Sequence, residues 1–354
     1  MCRIALRTPE QGRPTKVTHM SLLRRRDLSR RKPRATTVSA AALAAALVLS
    51  TLSVATSATA RPASGEQELL GAEGGTARPA ATKARKAPSY DKFPTRGSTG
   101  VPRGWEPRRT VGNDLVIRRS GQVVQDIRLV GASLIIDAPN VTVRRVEILG
   151  GRITNVPEDE CRNGLVVEDT TILPGDVTTR DTDEAAIGIG GYTARRVEMY
   201  GVPEGYRVGG RSMGCGPTKI VQSYAHVSSP DVCNDWHGDG IQGYDGPRLV
   251  VRKVRLILDE NDGCGGTAPF FWPARQGNAT ARIRGLLVEG GGISFRMNTP
   301  GSAEGIRIVD RSWYYNPIDV LCSALSSWEA KIVRLDDKGQ PVVRRNQRCN
   351  TEES

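Results

Sequence analysis

The stretch Asn140-Val-Thr-Val-Arg-Arg-Val-Glu-Ile-Leu149 places apolar residues at Val141, Val143, Val146 and Ile148, in steps of two, three and two. Steps of two put side chains on one face of an extended strand, and a single step of three means that the chain bends and restarts with its apolar face still inward. The same steps recur at Leu165, Val167, Thr170, Ile172; at Tyr192, Ala194, Val197, Met199; at Leu249, Val251, Val254, Leu256; and at Ala281, Ile283, Leu286, Val288. Weaker copies are Thr218, Ile220, Ser223, Ala225 and Ile306, Ile308, Arg311, Trp313. Successive copies begin 24, 27, 26, 31, 32 and 25 residues apart, within the range of stacked repeats.

One such repeat cannot bury its own apolar face, so it must stack on its neighbours and fill a narrow interior with Val, Ile and Leu. The pattern predicts an all-β chain built as a right-handed parallel β-helix, a single-stranded solenoid, with Gly-rich corners. A leucine-rich repeat would need an LxxLxLxxN pattern, which is absent. A sandwich of short strands is the nearer structural rival.

The ends of the chain read differently. Basic residues Arg24 to Arg34 precede the apolar run Val38 to Ala55, which ends in the small-residue site Ala58-Thr59-Ala60. That order predicts a signal peptide over residues 1–60, with a membrane anchor as the rival and Met20 as a possible start. Residues 61–104, crowded with Pro, Gly, Ala and Lys, predict a disordered linker. The β-helix domain is placed at 105–354, with a C-terminal cap.

Charge follows the same division. Residues 1–60 carry 11 of the 50 Lys and Arg and 2 of the 38 Asp and Glu, which leaves 39 against 36 beyond them. The remaining net charge, about +3, gives no reason to expect a nucleic-acid partner. No membrane contact is expected once the signal is removed, and a monomer is expected. Beyond Cys2 stand Cys161, Cys215, Cys233, Cys264, Cys322 and Cys349, an even set that predicts three disulfides in an exported chain. Order along the chain suggests Cys233 with Cys264 and Cys322 with Cys349.

The phrases SLIIDAPNVTVRRVEI, NGLVVEDTTI, HGDGIQGYDG and GPRLVVRKVRL resemble the secreted actinobacterial right-handed parallel β-helix proteins related to the pectate-lyase superfamily, in which an H-x-D-G-I-Q phrase opens one turn of the helix. The resemblance covers roughly residues 110–330 and implies secretion from a bacterium. It is less specific for chemistry, because this fold carries lyases, hydrolases, epimerases and binding proteins.

The two longest intervals flank this motif, and insertions into a solenoid gather on one face. There the candidate residues concentrate. For a lyase acting by β-elimination on a uronate-containing polysaccharide, His237 is the candidate base, with Arg296 or a bound Ca²⁺ stabilising the enolate. Asp239 is a further catalytic candidate, and Asp239, Asp259 and Asp262 are the candidate calcium ligands. Asp239 and Asp262 lie 23 residues apart, about one repeat. Stacking would bring such a pair within roughly 5 to 10 Å, which also suits a glycoside hydrolase. Asp235, Trp236, Gln242, Tyr244, Phe270 and Trp272 are the candidate substrate-binding residues, the aromatic ones by stacking on sugar faces. The bland alternatives stand beside these. If Ile241 faces the core, alternation puts Asp239 on the same side, bonded to backbone amides; His237 is then a turn residue, and Arg296 a surface one. A non-catalytic carbohydrate-binding or surface protein is the remaining functional reading.

Overall fold

The computed structural model describes residues 90, 92–175, 185–230, 233, 236–260 and 264–351. Among them there is no α-helix, only strands and three short 3-10 turns, so no helix is long and apolar enough to cross a membrane. The chain is all-β, and nearly all of its strand pairing is parallel.

Two sheets share the strands. The second sheet is the simpler one, with nine strands paired in chain order from Leu115–Ile117 to Asn316–Val320. Each of its strands bonds to the corresponding strand of the next repeat, as Tyr206 does opposite Ile241, Ile241 opposite Phe270 and Phe270 opposite Phe295. The first sheet has fourteen strands. Its long members, such as Thr142–Leu149 and Leu249–Asp259, are joined by repeats whose strand is split in two, for example Tyr192–Arg195 and Glu198–Val202. Because Thr142–Leu149 pairs with both halves of the next repeat, and Leu249–Asp259 with both halves of the one before, the pairings close a ring of eight parallel strands. The antiparallel strand Pro341–Gln347 ends this sheet.

The step of three has a specific cause. Asp126, Arg145, Asp169, Arg196, Gln222 and Lys253 all take positive φ, between 48° and 56°, at the bend of their repeats, and Gly285 and Gly305 take the same place in the next two. A left-handed residue turns the strand without spending an inward position, so Val143 and Val146 both reach the core. The expected glycine corners are therefore largely charged ones. Each non-glycine bend costs about 1–2 kcal/mol, and cross-repeat ion pairs offset part of it. Arg145 Nε and Nη2 donate to the two oxygens of Asp126 at 2.7 and 2.9 Å, and Arg196 does the same to Asp169 at 2.6 and 2.7 Å. The guanidinium of Arg145 holds the Asp126 carboxyl down at about 2.

The interior is one continuous stack of the expected apolar positions, with Thr170, Thr218 and Ser223 fully buried among them. One copy is displaced from its expected place. Its bend is Gly305, and the inward residues are Ala303, Ile306 and Ile308, whereas Arg311 is exposed. The pairing of Ala281 with Gly301 gives that repeat a length of 20 residues, too short for the pattern read from Ile306 onward.

Residues 92–104, which composition alone assigns to the linker, lie against the first sheet. Phe93 packs on Leu287 and Val333, and its backbone exchanges two hydrogen bonds with the Gln340 side chain, at 2.8 and 3.2 Å. Further along, Arg96 stacks over the Tyr200 ring at 3.7 Å, the Gly97 N–H donates to Glu198, and the Val101 N–H donates to Thr171 Oγ1 at 3.0 Å. Residues 1–89, and with them the expected signal peptide, lie outside the described residues.

All three disulfides are formed: Cys161 with Cys215, Cys233 with Cys264, and Cys322 with Cys349, the last two as chain order suggests. They are compatible with an oxidising, extracellular setting.

Candidate functional site

Alternation along the second sheet divides its residues cleanly. Tyr206, Ile241, Phe270, Phe295 and Val208, Trp272, Met297 point into the core. The residues between them point out and, by strand register, form a row: Arg207, Gln242, Phe271, Arg296 and Asp319. Four strand spacings separate its ends, about 19 Å.

Arg296 and Asp319 close one end, with Nε donating to Oδ2 at 2.6 Å. The Arg296 guanidinium also lies 5.5 Å from the centre of the Phe271 ring, a cation–π contact. At the other end Arg207 leans back along its own strand to Glu204, with Nε donating to Oε1 at 3.0 Å. Gln242 leans the same way, and its Nε2 donates to Asp239 Oδ2 at 3.0 Å. Beyond Gln242 the surface opens into a cleft of about 580 Å³ whose lining includes Ile189, Arg207, Met213, Gln242, Tyr244 and Asp245. Tyr244 is 64% exposed. Ser212 donates both its N–H and its hydroxyl to Asp245, which holds that carboxyl below the usual range.

The entry to this strand is where the sequence concentrates its polar residues. Asp239 is fully buried although it bonds the outward Gln242 side chain, because alternation is broken at Gly240, where a side chain would meet the core residue Leu256. Its Oδ1 accepts the Ala268 N–H at 2.9 Å. Burial pushes its carboxyl well above the ordinary range, and Glu204 adds to the effect. Glu204 is buried too, and the two carboxyls stand two residues before the paired Tyr206 and Ile241. Asp239 thus takes the bland place, bonded to a backbone amide and closed to solvent. His237 is exposed, two residues before the strand begins.

Three expected sugar-stacking rings are core residues instead. Trp236 is buried with its Nε1 donating to the Pro203 carbonyl at 2.8 Å. Phe270 stacks on Phe295 with centroids 4.8 Å apart, and Trp272 is fully buried with Nε1 donating to the Ala279 carbonyl at 2.9 Å. Alternation is the reason: of Phe270, Phe271 and Trp272, only the middle one points away from the core, and it is itself covered to 8% exposure. The glycines of the motif serve these rings. A side chain at Gly238 would meet the Trp236 indole within 2.0 Å, and one at Gly243 would meet the Trp272 ring within 2.4 Å.

The expected calcium ligands are not assembled from what is described. Asp239 is buried at the start of a strand of one sheet, whereas Asp259 ends a strand of the other, 69% exposed and 3.7 Å from His226 Nε2. Asp262 and Asp235 lie outside the described residues. Among those described, no three His, Cys, Asp or Glu side chains are grouped to hold a metal ion.

Arg207, Glu204 and Asp319 escape a reading of the sequence alone. Arg207 precedes Gln242 by 35 residues, and only the pairing of their strands places them side by side. The alternation in Tyr206-Arg-Val-Gly209, which mirrors Ile241-Gln-Gly-Tyr244, is the one signal that points to them. No family model, curated protein or solved structure matches this chain.

Proposed function

We propose that the chain is a secreted protein, folded as a right-handed parallel β-helix, that cleaves uronate-containing polysaccharide by β-elimination along the outer row of the second sheet. The solenoid reading is supported by parallel pairing that joins one repeat to the next, the ring of eight strands arising where two long strands each bond both halves of a split one. The functional reading is carried by one observation, the row itself. Cation, amide, aromatic ring and cation stand one strand apart at Arg207, Gln242, Phe271 and Arg296, beside the cleft under Tyr244. An extended acidic glycan lying across the strands meets guanidinium groups suited to carboxylates and the exposed Tyr244 ring suited to a sugar face, while Phe271, only 8% exposed, backs the Arg296 guanidinium.

In this proposal a base removes the proton beside the uronate carboxylate, a guanidinium stabilises the enolate that develops, and the enolate collapses to a carbon–carbon double bond as the bond to the glycosidic oxygen breaks, that oxygen taking a proton from water. His237 is the proposed base. It stands exposed at the strand edge toward which Arg207 and Gln242 lean.

A second reading, non-catalytic binding of the same glycan, is favoured by the carboxylates already beside both arginines, Glu204 and Asp319. Incubation with acidic and neutral polysaccharides, with calcium and with a chelator, separates the readings. Ultraviolet absorbance from an unsaturated uronate, lost in His237→Ala, supports the lyase. Reducing ends without that absorbance point to a hydrolase, and binding without either product to the non-catalytic reading.

A further inference from the structure

Several arginines of this fold are matched to carboxylates on the neighbouring repeat. Arg145 meets Asp126, Arg196 meets Asp169, Arg255 meets Glu289, and Arg296 meets Asp319. Others, such as Arg119 and Arg195, have no ion-pair partner among the described residues, and in one region such cations are gathered together. On the outer face of the first sheet, before the bend, stand Lys219, Arg248, Arg252, Arg282 and Arg284, all exposed. None of the five has a carboxylate within ion-pair distance among the described residues.

Register sharpens the anomaly. Arg252 pairs directly with Arg284, one strand spacing away, and like charges so placed repel. Lys219 and Arg282 flank Val250 in the adjacent row. The carboxylate opposite Arg284 is Glu304, which accepts the Ser327 hydroxyl at 2.8 Å. Next to these cations lies a hollow of about 490 Å³, bordered by Arg248 and Arg282 and by the hydroxyl residues Thr280, Ser302 and Ser326.

We propose that this face is a second binding surface, for a linear anionic polysaccharide carrying acidic groups on successive sugars. The unmatched cations supply the complementary charge, and the hydroxyl residues at the hollow suit sugar hydroxyls and acidic oxygens. A nucleic acid fits less well, because no aromatic ring is in the hollow's lining to stack a base and the Tyr90 ring beside Arg284 is packed on Gly285 and Gly305. The surface lies on the other sheet from the Arg207 row and does not rest on the reading given to that row.

Dextran sulfate tests it, with the full chain, neutral dextran and single-stranded polythymidylate as comparisons. The wild type binds dextran sulfate in low salt, more weakly as salt rises, and does not bind neutral dextran. The exposed triple change Arg252→Gln, Arg282→Gln, Arg284→Gln weakens that binding by about tenfold or more while circular dichroism is unchanged. Arg119→Gln, an exposed change that belongs to neither this surface nor the Arg207 row, leaves it unchanged. Wild-type affinity in the triple variant, no binding of dextran sulfate at all, or equally tight binding of polythymidylate overturns the proposal.

Discussion

Asp239 carries the sharpest consequence at the level of single residues. Its carboxyl is buried and pushed up, so the folded chain keeps a proton there after the unfolded chain has lost its own. The stability linked to that proton is complete below the ordinary carboxyl range and is lost as pH rises toward the folded value. Asp239→Asn removes this titration and preserves an acceptor for the Ala268 N–H. Urea unfolding at pH 5 and pH 8 is therefore expected to show the variant gaining on the wild type with rising pH, by up to roughly 1 kcal/mol per pH unit. A constant difference across that range contradicts the assignment. That Asp239 could be buried and bonded to a backbone amide was legible in the sequence, but parity with Ile241 does not place it, since it bonds the outward Gln242. The roles of Trp236, Phe270 and Trp272 were not legible, since an aromatic type suits a core and a sugar platform equally and only the strand's phase decides between them.

Bends dominate at the level of elements. The two-three-two spacing discloses where each strand turns, and it does so even where the inward residues are Thr218 and Ser223. It does not disclose that Arg145, Asp169 or Gln222 adopts the left-handed conformation, because any residue at the middle of a three-step fits the pattern. Gln222, exposed with φ of 50°, isolates this feature. Gln222→Val is expected to lower stability by about 1–2 kcal/mol, and Gln222→Gly to change it by less than about 1 kcal/mol. Chemical denaturation measures both, and equal effects of the two changes contradict a left-handed bend. The Cys233–Cys264 bridge closes a span of 31 residues beside the entry to Asp239–Tyr244. Replacing both cysteines by serine is expected to cost roughly 2–4 kcal/mol, read from the denaturation midpoint.

For the molecule as a whole, parallel stacking was legible because each repeat leaves an apolar face that only a neighbour can cover. The segment 92–104 was not, since a Pro- and Gly-rich composition conceals the one residue, Phe93, that fastens it. Phe93 bridges Leu287 and Val333, which lie on different strands of the first sheet. Phe93→Ala is expected to destabilise by about 3 kcal/mol. Proteolysis should then reach residues 92–104 before the sheets; resistance equal to the wild type contradicts the packing. The outer row of the second sheet is likewise a property of the stack, since Arg207, Gln242, Phe271 and Arg296 become neighbours only through pairing. The central claim is that this row receives an acidic glycan for β-elimination, and it is tested most directly by the rate of unsaturated-uronate absorbance from polygalacturonate in the wild type and in Arg207→Gln with Arg296→Gln. The account predicts turnover by the wild type and its loss in the double variant with the fold retained; no absorbance from the wild type, or equal rates in the two proteins, would contradict it.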